Sequence, residues 1–379
     1  MNRDRFPALR EGWARLDGPA GSQIVDSAIE SMADWMRSGS QANHGGAFKQ
    51  AHETDELVES TRVACATLLG GDPSGVVFGP SFTALTMRFA ATVVRELAAG
   101  DEIVCTRLDH DSNVRPWVIA AERSGATVRF AEPVEGSLEL PASAVEAVLS
   151  DRTRWVAVTH ASNAVGTIPD LAGIVAAAHD AGARVYVDAV HAAPHRRIDV
   201  AALGCDALAC SAYKWFGPHI GVQWARPELL AELQPDKLLP SPDSYPDRWE
   251  NGTLPFEALA GVAAAADYTR GMDWDAVGAH ENALLTAALD GLDAIPGVTV
   301  HGRARDRTST VMFTVDGHTS AQAAAALAEH EVAVWDGNYY AHELEHFLGL
   351  DPDGAVRAGF VHYNDEDDVE RLLDAVEAL

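Results

Sequence analysis

Short apolar segments alternate with longer amphipathic segments from about residue 76 to about residue 226. Each apolar segment has the length and the flanking turn residues of a buried β-strand. The predicted strands are 76–79, 102–106, 127–131, 155–159, 184–187, 207–211 and 221–225. Between them, apolar residues recur every four positions in 83–98, and an apolar stripe in 170–181 ends at Gly182. This alternation predicts an α/β fold with a mainly parallel central sheet and helices on both of its faces.

The pattern changes after the last of these strands. A stretch rich in proline and polar residues, 234–255, is followed by two long helical segments near 256–270 and 273–294. Further strands are predicted near 298–302, 309–316, 332–335 and 355–361. The last helix is predicted to start at Asn364 as its N-cap, with a buried face of Val369, Leu372, Leu373, Val376 and Leu379. We therefore expect a large α/β domain with an N-terminal arm over 1–255 and a smaller α+β domain over 256–379.

Charge and composition narrow the class of protein. The chain has 379 residues and a formal net charge of −28, which argues against a general affinity for nucleic acid or for anionic membranes. It has no apolar stretch of about 18 residues, and its start lacks the apolar core of a signal peptide. The four cysteines lack zinc-type pairing and lie in apolar segments. We expect a cytoplasmic protein with buried cysteines that binds neither nucleic acid nor membranes.

Lys214 and Asp188 give the first indication of chemistry. Lys214 is one of only three lysines and follows an apolar strand, and Asp188 ends another strand 26 residues earlier. A primary amine can form a Schiff base with pyridoxal 5'-phosphate (PLP), and a carboxylate can hold the pyridine nitrogen of PLP protonated. The alternatives are a helix cap or ion pair for Asp188 and a solvated lysine at 214. The spacing favours a PLP site with both residues catalytic.

A phosphate cradle is predicted where the first strand leads into the next helix. Ser81, Phe82 and Thr83 stand at this helix start, where free N–H groups and hydroxyls can bind a phosphate. Ser211, at another strand end, could reach the same phosphate. Taken alone the signal is weak, because Ser and Thr are also ordinary N-cap residues.

Three more strand ends carry polar residues that could border the cofactor. Asn163 could hydrogen-bond the cofactor ring oxygen or a substrate carboxylate, although an asparagine of this kind is equally common in turns. His191 follows Asp188 by three residues and could line the ring. In Asp109-His110-Asp111, one side chain is expected to cover the ring face.

Arg357 is the candidate for binding the substrate. It lies in an alternating strand, and a guanidinium can hold a carboxylate through two parallel hydrogen bonds. The alternative is a surface arginine on the polar face of that strand.

A zinc-protease pattern also occurs in the chain. His342-Glu343-Leu344-Glu345-His346 matches H-E-x-x-H, so a zinc peptidase using His342 and His346 is a remote alternative function. The pattern is short and lies in a polar segment, which favours a solvated helical turn without a catalytic metal.

Together these residues resemble the class V aminotransferase group of fold-type-I PLP enzymes, and most closely its cysteine desulfurase-like branch. The resemblance runs from Leu16-Asp17-Gly18-Pro19 to Tyr363-Asn364. Its most specific parts are Thr159-His160-Ala161-Ser162-Asn163-Ala164-Val165-Gly166-Thr167, Asp188-Ala189-Val190-His191 and Ser211-Ala212-Tyr213-Lys214. Trp249-Glu250-Asn251-Gly252-Thr253 is similar to a loop that reaches the phosphate of the partner subunit in this family. The resemblance therefore implies a homodimer in which Thr253 contacts the cofactor across the interface.

The chain departs from the desulfurase pattern at several positions. The stretch Val334-Trp335-Asp336-Gly337-Asn338-Tyr339-Tyr340 has no cysteine where desulfurases carry their sulfur acceptor. The family's ring-stacking histidine falls on Asp111, with His110 beside it. Tyr213 replaces the usual histidine before the lysine, and His191 replaces the usual glutamine. These changes border the cofactor and indicate an altered reaction specificity.

The expected activity is cleavage of the C–S bond of a cysteine-derived amino acid by β-elimination. Aminotransfer and racemisation or epimerisation are the alternatives on the same fold. Trp335, Tyr339, Tyr340 and His191 are expected to shape the substrate pocket. In this hypothesis Lys214 also moves the Cα proton of the substrate.

Overall fold

A computed structural model describes residues 3–38 and 42–379; residues 1, 2 and 39–41, which fall within the predicted large domain, lie outside the described residues. The strands are β1 (Ala14–Arg15), β2 (Val76–Gly79), β3 (Glu102–Thr106), β4 (Thr127–Ala131), β5 (Thr153–Thr159), β6 (Arg184–Asp188), β7 (Ala207–Ser211), β8 (Gly221–Ala225), β9 (Val298–His301), β10 (Thr310–Val315), β11 (Val332–Ala333) and β12 (Val356–Gly359). The α-helices are α1 (Asp26–Arg37), α2 (Lys49–Leu69), α3 (Phe82–Val93), α4 (Arg115–Ser124), α5 (Ala142–Glu146), α6 (Leu171–Asp180), α7 (Val200–Leu203), α8 (Pro227–Glu232), α9 (Phe256–Arg270), α10 (Trp274–Ala294), α11 (Ser320–Glu329), α12 (His342–Leu348) and α13 (Glu366–Glu377).

The main sheet has seven strands in the order β2-β8-β7-β6-β5-β3-β4. Strand β8 runs antiparallel to both of its neighbours, and the other neighbouring pairs are parallel. The predicted mainly parallel sheet is therefore confirmed, and five of the predicted strands have the observed bounds. The carboxyl ends of β5, β6 and β7 lie side by side, with Thr159 paired to Asp188 in the register. Ligands of open α/β sheets bind at this edge.

Each face of this sheet is covered by helices because successive side chains of a strand point to opposite faces. Val156, Val185 and Val187 pack into one cluster with residues of α2 and α6. Trp155 and Tyr186, their neighbours in sequence, pack into another cluster with residues of α3, α4 and α8. Both faces of the sheet are thus buried, which explains why successive residues of these strands are apolar.

A second sheet lies in the C-terminal part of the chain. Its antiparallel order is β12-β10-β9, and its apolar side packs with residues of α10, α11 and α13. The N-terminal arm joins this part, because β1 pairs with β11 and Asp17 bridges to Gly359. Helix α9, in contrast, packs against α1 and α2. The domain boundary after residue 255 stays a prediction.

Two helix predictions were wrong in detail. The helix predicted over 83–98 ends at Val93. The N-cap of α13 is Asp365, whose Oδ1 accepts the N–H of Asp368 at 3.2 Å. Asn364 does not cap the helix, since its Oδ1 accepts the N–H of Val361 at 2.9 Å. The predicted buried face of α13 is observed at Val369, Leu372 and Val376, and Ala375 is also buried. Leu373 and Leu379 are only partly buried.

The remaining structural expectations concern membranes and cysteines. Within the described residues, no helix combines the length and the hydropathy that crossing a bilayer requires. All four cysteines are free and buried, as predicted.

Candidate active site

A cavity at the carboxyl edge of the main sheet collects most of the predicted site residues. The residues that line it are Ser81, Phe82, Thr83, His110, Ser112, Thr159, Ala161, Asn163, Asp188, Val190, His191, Ser211, Tyr213 and Lys214. They come from the segments that follow β2, β3, β5, β6 and β7. Parallel strands therefore place residues that are more than 100 positions apart in sequence around one space.

Lys214 follows β7 in a short 3₁₀ turn and is only 7% exposed. Its Nζ donates a hydrogen bond to the backbone carbonyl of Pro19 in the N-terminal arm. Burial, with a further contribution from the nearby charge of Arg357, lowers the pKa of Lys214 to about 7, although Asp188 opposes the shift. A substantial fraction of this amine is therefore uncharged and nucleophilic at neutral pH.

Asp188 is the last residue of β6 and is 3% exposed. Its Oδ1 accepts the backbone N–H of Val190 at 2.8 Å, which fixes the carboxylate at the strand end. Burial raises its pKa to about 7, and the hydrogen bond from Val190 and the charge of Lys214 only partly offset that rise. A cationic ring nitrogen beside this carboxylate would favour its charged form.

Three residues of the cavity wall that carry hydroxyls, Ser81, Thr83 and Ser211, stand at the start of α3 and at the end of β7. The Oγ atom of Ser81 accepts the N–H of Ala84 at 3.2 Å and caps α3, and the Oγ atom of Ser211 accepts the N–H of Phe82 at 3.0 Å. Each hydroxyl therefore keeps its proton free to donate. A Cβ atom at position 221 would lie 2.5 Å from the backbone carbon of Ser81, so Gly221 allows this close approach. The start of α3 adds its N–H groups and the helix dipole.

His110, and not Asp111, faces the cavity. Its Nδ1 accepts the N–H of Ser112 at 3.0 Å, which places the ring proton on Nε2. Burial lowers the pKa of His110 to about 3, so the ring is neutral. Asp111 lies outside the set of lining residues and pairs with Arg115 at 3.3 Å. Of the two candidates for the ring-facing position, His110 and Asp111, only His110 thus belongs to the cavity wall.

Arg357 is buried behind Asn163 in the middle of β12. Its Nη1 donates to the carbonyl of Asn163 at 2.9 Å, and its guanidinium lies 4.4 Å from the ring centroid of Tyr339. Burial lowers the pKa of Arg357 to about 10, so the group stays charged at neutral pH. Its Nε and the Oδ1 of Asn163 are buried and have no hydrogen-bond partner in the described part of the chain. A ligand carboxylate would accept a hydrogen bond from the Nε of Arg357, and a ligand N–H or O–H would donate one to the Oδ1 of Asn163.

His191 connects the cavity to the C-terminal sheet. Its Nε2 lies 3.1 Å from the hydroxyl of Thr308 and 2.9 Å from that of Thr310. Burial lowers the pKa of His191 well below its usual value, so this ring too is neutral. The sequence analysis did not identify these two threonines, nor Ser112 and Pro19. Pro19 belongs to a quoted family segment, whereas no local pattern distinguishes the other three.

The remaining predicted residues differ in their placement. Tyr213 lines the cavity, and its ring lies 5.2 Å from the Nζ of Lys214. Tyr339 is buried, whereas Trp335 is 49% exposed and Tyr340 is 69% exposed. The Tyr340 ring stacks on His110 at a centroid distance of 5.3 Å. Thr253 is exposed and lies outside the residues that line the cavity.

The H-E-x-x-H segment forms the seven-residue helix α12. The Nδ1 of His346 hydrogen-bonds Asp351 at 2.9 Å, and this histidine is largely exposed. His342 can approach Glu345 and Asp351 with all three ligand atoms within 4.8 Å of one another. The group of potential ligands among the described residues is therefore His342, Glu345 and Asp351 without His346, whereas a zinc peptidase uses both histidines of the motif.

The cavity fits PLP on its own geometry. A buried amine and a buried carboxylate share one space, and free hydroxyls at a helix start lie in the same wall. The orphaned polar atoms of Asn163 and Arg357 leave room for hydrogen bonds to a ligand. Lys214 would hold the aldehyde carbon, Asp188 the ring nitrogen, and Ser81, Thr83 and Ser211 the phosphate.

Comparison with known proteins identifies the family of the chain. Residues 14–372 match the aminotransferase class-V family. An aminotransferase-like protein of Gibberella zeae is 31% identical over 99% of this chain and 96% of its own length. A probable cysteine desulfurase of Halobacterium salinarum is 32% identical over 99% of this chain and 95% of its own. A solved cysteine desulfurase of Thermococcus onnurineus superposes with a TM-score of 0.92 at 28% identity, covering 99% of this chain and 96% of that one. The chain therefore belongs to the class-V aminotransferase family, and it is a PLP-dependent enzyme of fold type I.

Proposed function

We propose that this enzyme cleaves the C–S bond of a cysteine-derived amino acid by β-elimination and releases a thiol or a sulfenate. The observation that carries the proposal is the meeting of Lys214 and Asp188 in one buried cavity beside Arg357. Similar chains include probable cysteine desulfurases, which supports chemistry at sulfur. The segment 334–340 has no cysteine to accept sulfur, so the cleaved sulfur leaves with the product.

Different residues in and beside the cavity serve different steps of this reaction. Arg357 binds the substrate carboxylate with charge-assisted hydrogen bonds, and the amide of Asn163 adds a further polar contact. The uncharged amine of Lys214 removes the Cα proton as a general base. When bound, PLP supplies an electron sink for the electron pair left at Cα. Breaking the Cβ–S bond then yields pyruvate and ammonia after hydrolysis, together with the sulfur-containing fragment.

His110 lines the cavity, and Tyr340 stacks on it from outside the lining. The Nε2 of His110 carries a proton, since its Nδ1 is an acceptor. The stacked ring of Tyr340 covers this imidazole on one face. We assign His110 to contact with the cofactor ring, and Trp335, Tyr339, Tyr340 and His191 to the selection of substrate.

The assembly and location are parts of the same proposal. We propose a cytoplasmic homodimer in which the exposed Thr253 of each subunit completes the phosphate site of the other. We also propose that 1–255 and 256–379 behave as two domains. Equilibrium sedimentation of the native protein tests the dimer. The PLP affinity of Thr253→Ala tests the shared site, because loss of a phosphate contact across the interface is expected to weaken PLP binding.

Turnover assays with the PLP-loaded enzyme test the reaction. L-cysteine, L-cystine, S-methyl-L-cysteine and its sulfoxide are incubated in separate reactions, and pyruvate, ammonia and thiol are measured. At least one substrate is expected to give these products together. Lys214→Ala is expected to lose the visible absorbance of the bound cofactor and to lose about 10²- to 10⁴-fold in turnover. Lys49→Ala, which changes an exposed lysine of α2, is the matched control.

Other product patterns contradict the proposal. A 2-oxo acid that keeps the side chain of its amino acid identifies an aminotransferase, the activity named for the Gibberella zeae relative. Exchange of the Cα hydrogen with deuterated solvent, without release of sulfur, identifies a racemase or epimerase. A protein that stays colourless with PLP contradicts the assignment of Lys214 itself.

A further inference from the structure

A second cavity, of about 340 Å³, lies outside the PLP site. Its wall is formed by the end of α2, the segment 193–198, the end of α9 and the start of α10. The lining residues are Thr67, Leu68, Leu69, Ala193, Arg196, Arg197, Ile198, Arg270, Met272 and Trp274. Three of them are arginines, and none is acidic. A cavity wall with three arginines and no acidic residue is unusual for a chain that has 56 acidic and only 28 basic residues.

Two of these arginines have no protein partner for their charge. Arg270 pairs with Asp267 at 3.0 Å, but neither Arg196 nor Arg197 forms a side-chain hydrogen bond or ion pair within residues 3–38 and 42–379. The Nη1 atom of Arg196 is also buried, so water reaches it poorly. A buried guanidinium nitrogen without an acceptor is costly, and a bound anion would supply that acceptor.

Arg196 also lines two neighbouring cavities among the described residues. A neighbouring cavity of about 240 Å³ shares Arg196, Arg197 and Trp274. The carboxylate of Glu281 in that cavity accepts hydrogen bonds at one oxygen from His195 at 2.7 Å and from Ser309 at 3.1 Å. Its other oxygen, Oε1, is buried without a hydrogen-bond partner, and neither oxygen pairs with Arg196 or Arg197 in the described part of the chain.

The rest of the wall is apolar. Leu68, Ile198 and Met272 line the same space as the indole of Trp274. An inorganic anion would use only the arginines, whereas an anion with a hydrocarbon body would also bury these surfaces. We propose that this cavity binds a small organic carboxylate, with its charge on Arg196 and Arg197 and its apolar body against Trp274 and Met272.

Calorimetric titration of the PLP-loaded enzyme tests the site. The probes are phenylacetate and hexanoate as carboxylates, 2-phenylethanol as an uncharged analogue, and inorganic phosphate as an anion without a body. The carboxylates are expected to bind at least about tenfold more tightly than the other two. Arg196→Gln with Arg197→Gln is expected to weaken carboxylate binding about tenfold or more, because two charge-assisted contacts are lost. Arg123→Gln removes an exposed arginine of α4 and is the matched control.

An arginine also lies beside the active cavity, and Arg357→Gln separates the two sites. Carboxylate binding that survives Arg357→Gln and fails in the double variant supports the proposal. Binding that fails in Arg357→Gln alone belongs to the active cavity and overturns it, as does the absence of heat for both carboxylates. Equal affinity for phosphate and phenylacetate would contradict the proposal that the ligand has an apolar organic body. If the double variant does not fold, the single change Arg197→Gln, at an exposed residue, is titrated instead.

Discussion

Two groups of residues in and beside the active cavity differ in how they are built. We call the first, which lines the cavity, the cofactor end: Ser81, Thr83, Asp188, Ser211 and Lys214. We call the second the substrate end: Asn163, which also lines the cavity, and Trp335, Tyr339, Tyr340 and Arg357, which lie outside its lining. The cofactor end comes from strand and helix termini of the main sheet, whereas the substrate end, apart from Asn163, comes from the C-terminal sheet and a connecting segment.

The two ends also differ in burial and in backbone conformation. Asp188 and Lys214 are 3% and 7% exposed, while Trp335 and Tyr340 are 49% and 69% exposed. Tyr339 and Tyr340 have φ angles of 47° and 61°, a left-handed conformation that non-glycine residues seldom adopt. Strained loop residues are common at sites that select ligands. In the proposed function, the cofactor end would determine the general chemistry, and the substrate end would select the molecule on which the enzyme acts.

The largest effect is expected from Asp188→Asn at the cofactor end. Asparagine keeps the shape and can still accept the N–H of Val190, but it has no charge with which to hold a protonated ring nitrogen. Turnover is expected to fall by about 10²- to 10⁴-fold, the range of an acid–base contribution. Steady-state kinetics of the PLP-loaded enzyme measure this change. Asp111→Asn, outside the cavity, should keep nearly full turnover, and equal losses in both variants would contradict the role of Asp188.

Arg357→Lys tests the anchor of the substrate end. Lysine retains the charge but not the planar fork that can hold a carboxylate at two points. The loss of one charge-assisted hydrogen bond is expected to lower kcat/KM by about 10- to 100-fold, mainly through a higher KM. Arg123→Lys is the matched control. A lower kcat with unchanged KM would place Arg357 in the chemical step and not in substrate binding.

The sequence predicted the cofactor end more completely than the substrate end. The apolar strands can be recognised in the sequence, and Asp188 and Ser211 are the last residues of such strands, so their position could be predicted. The exact position of the site residue in the segment 109–111 was harder to predict, because only the structure shows that His110, and not Asp111, lines the cavity. Thr308 and Thr310 reach His191 across more than 100 residues of sequence, so no local pattern could identify them.

The N-cap of α13 shows that local sequence also has this limit in predicting the fold. Both Asn364 and Asp365 suit a helix N-cap, and sequence alone favoured the first. Asn364 instead uses its amide nitrogen on the carbonyl of Arg15 in the N-terminal arm, at 3.1 Å. That contact depends on the arm packing against the C-terminal part, which tertiary structure alone reveals.

The lowered pKa of Lys214 predicts how fast the apo-protein captures PLP at each pH. Because the pKa is about 7, the uncharged fraction of the amine falls about tenfold per pH unit below 7 and saturates above 8. Stopped-flow absorbance between pH 5.5 and 9.5 would follow this capture. Arg357 helps to lower that pKa, so Arg357→Gln should move the midpoint upward. A capture rate that still rises steeply above pH 9 would show an ordinary lysine.

The smallest effect is expected from Tyr340→Ala at the substrate end. The change removes the ring stacked on His110 but leaves the buried groups around PLP in place. An exposed aromatic contact is worth about 0.5–1.5 kcal/mol, so kcat/KM should change about two- to tenfold, and by different factors for L-cysteine and S-methyl-L-cysteine. The cofactor absorbance should stay unchanged, and Tyr340→Phe, which keeps the ring, should resemble the native enzyme. Equal factors for both substrates, or loss of the cofactor band, would mean that Tyr340 supports the cofactor end and that the two ends are not separable.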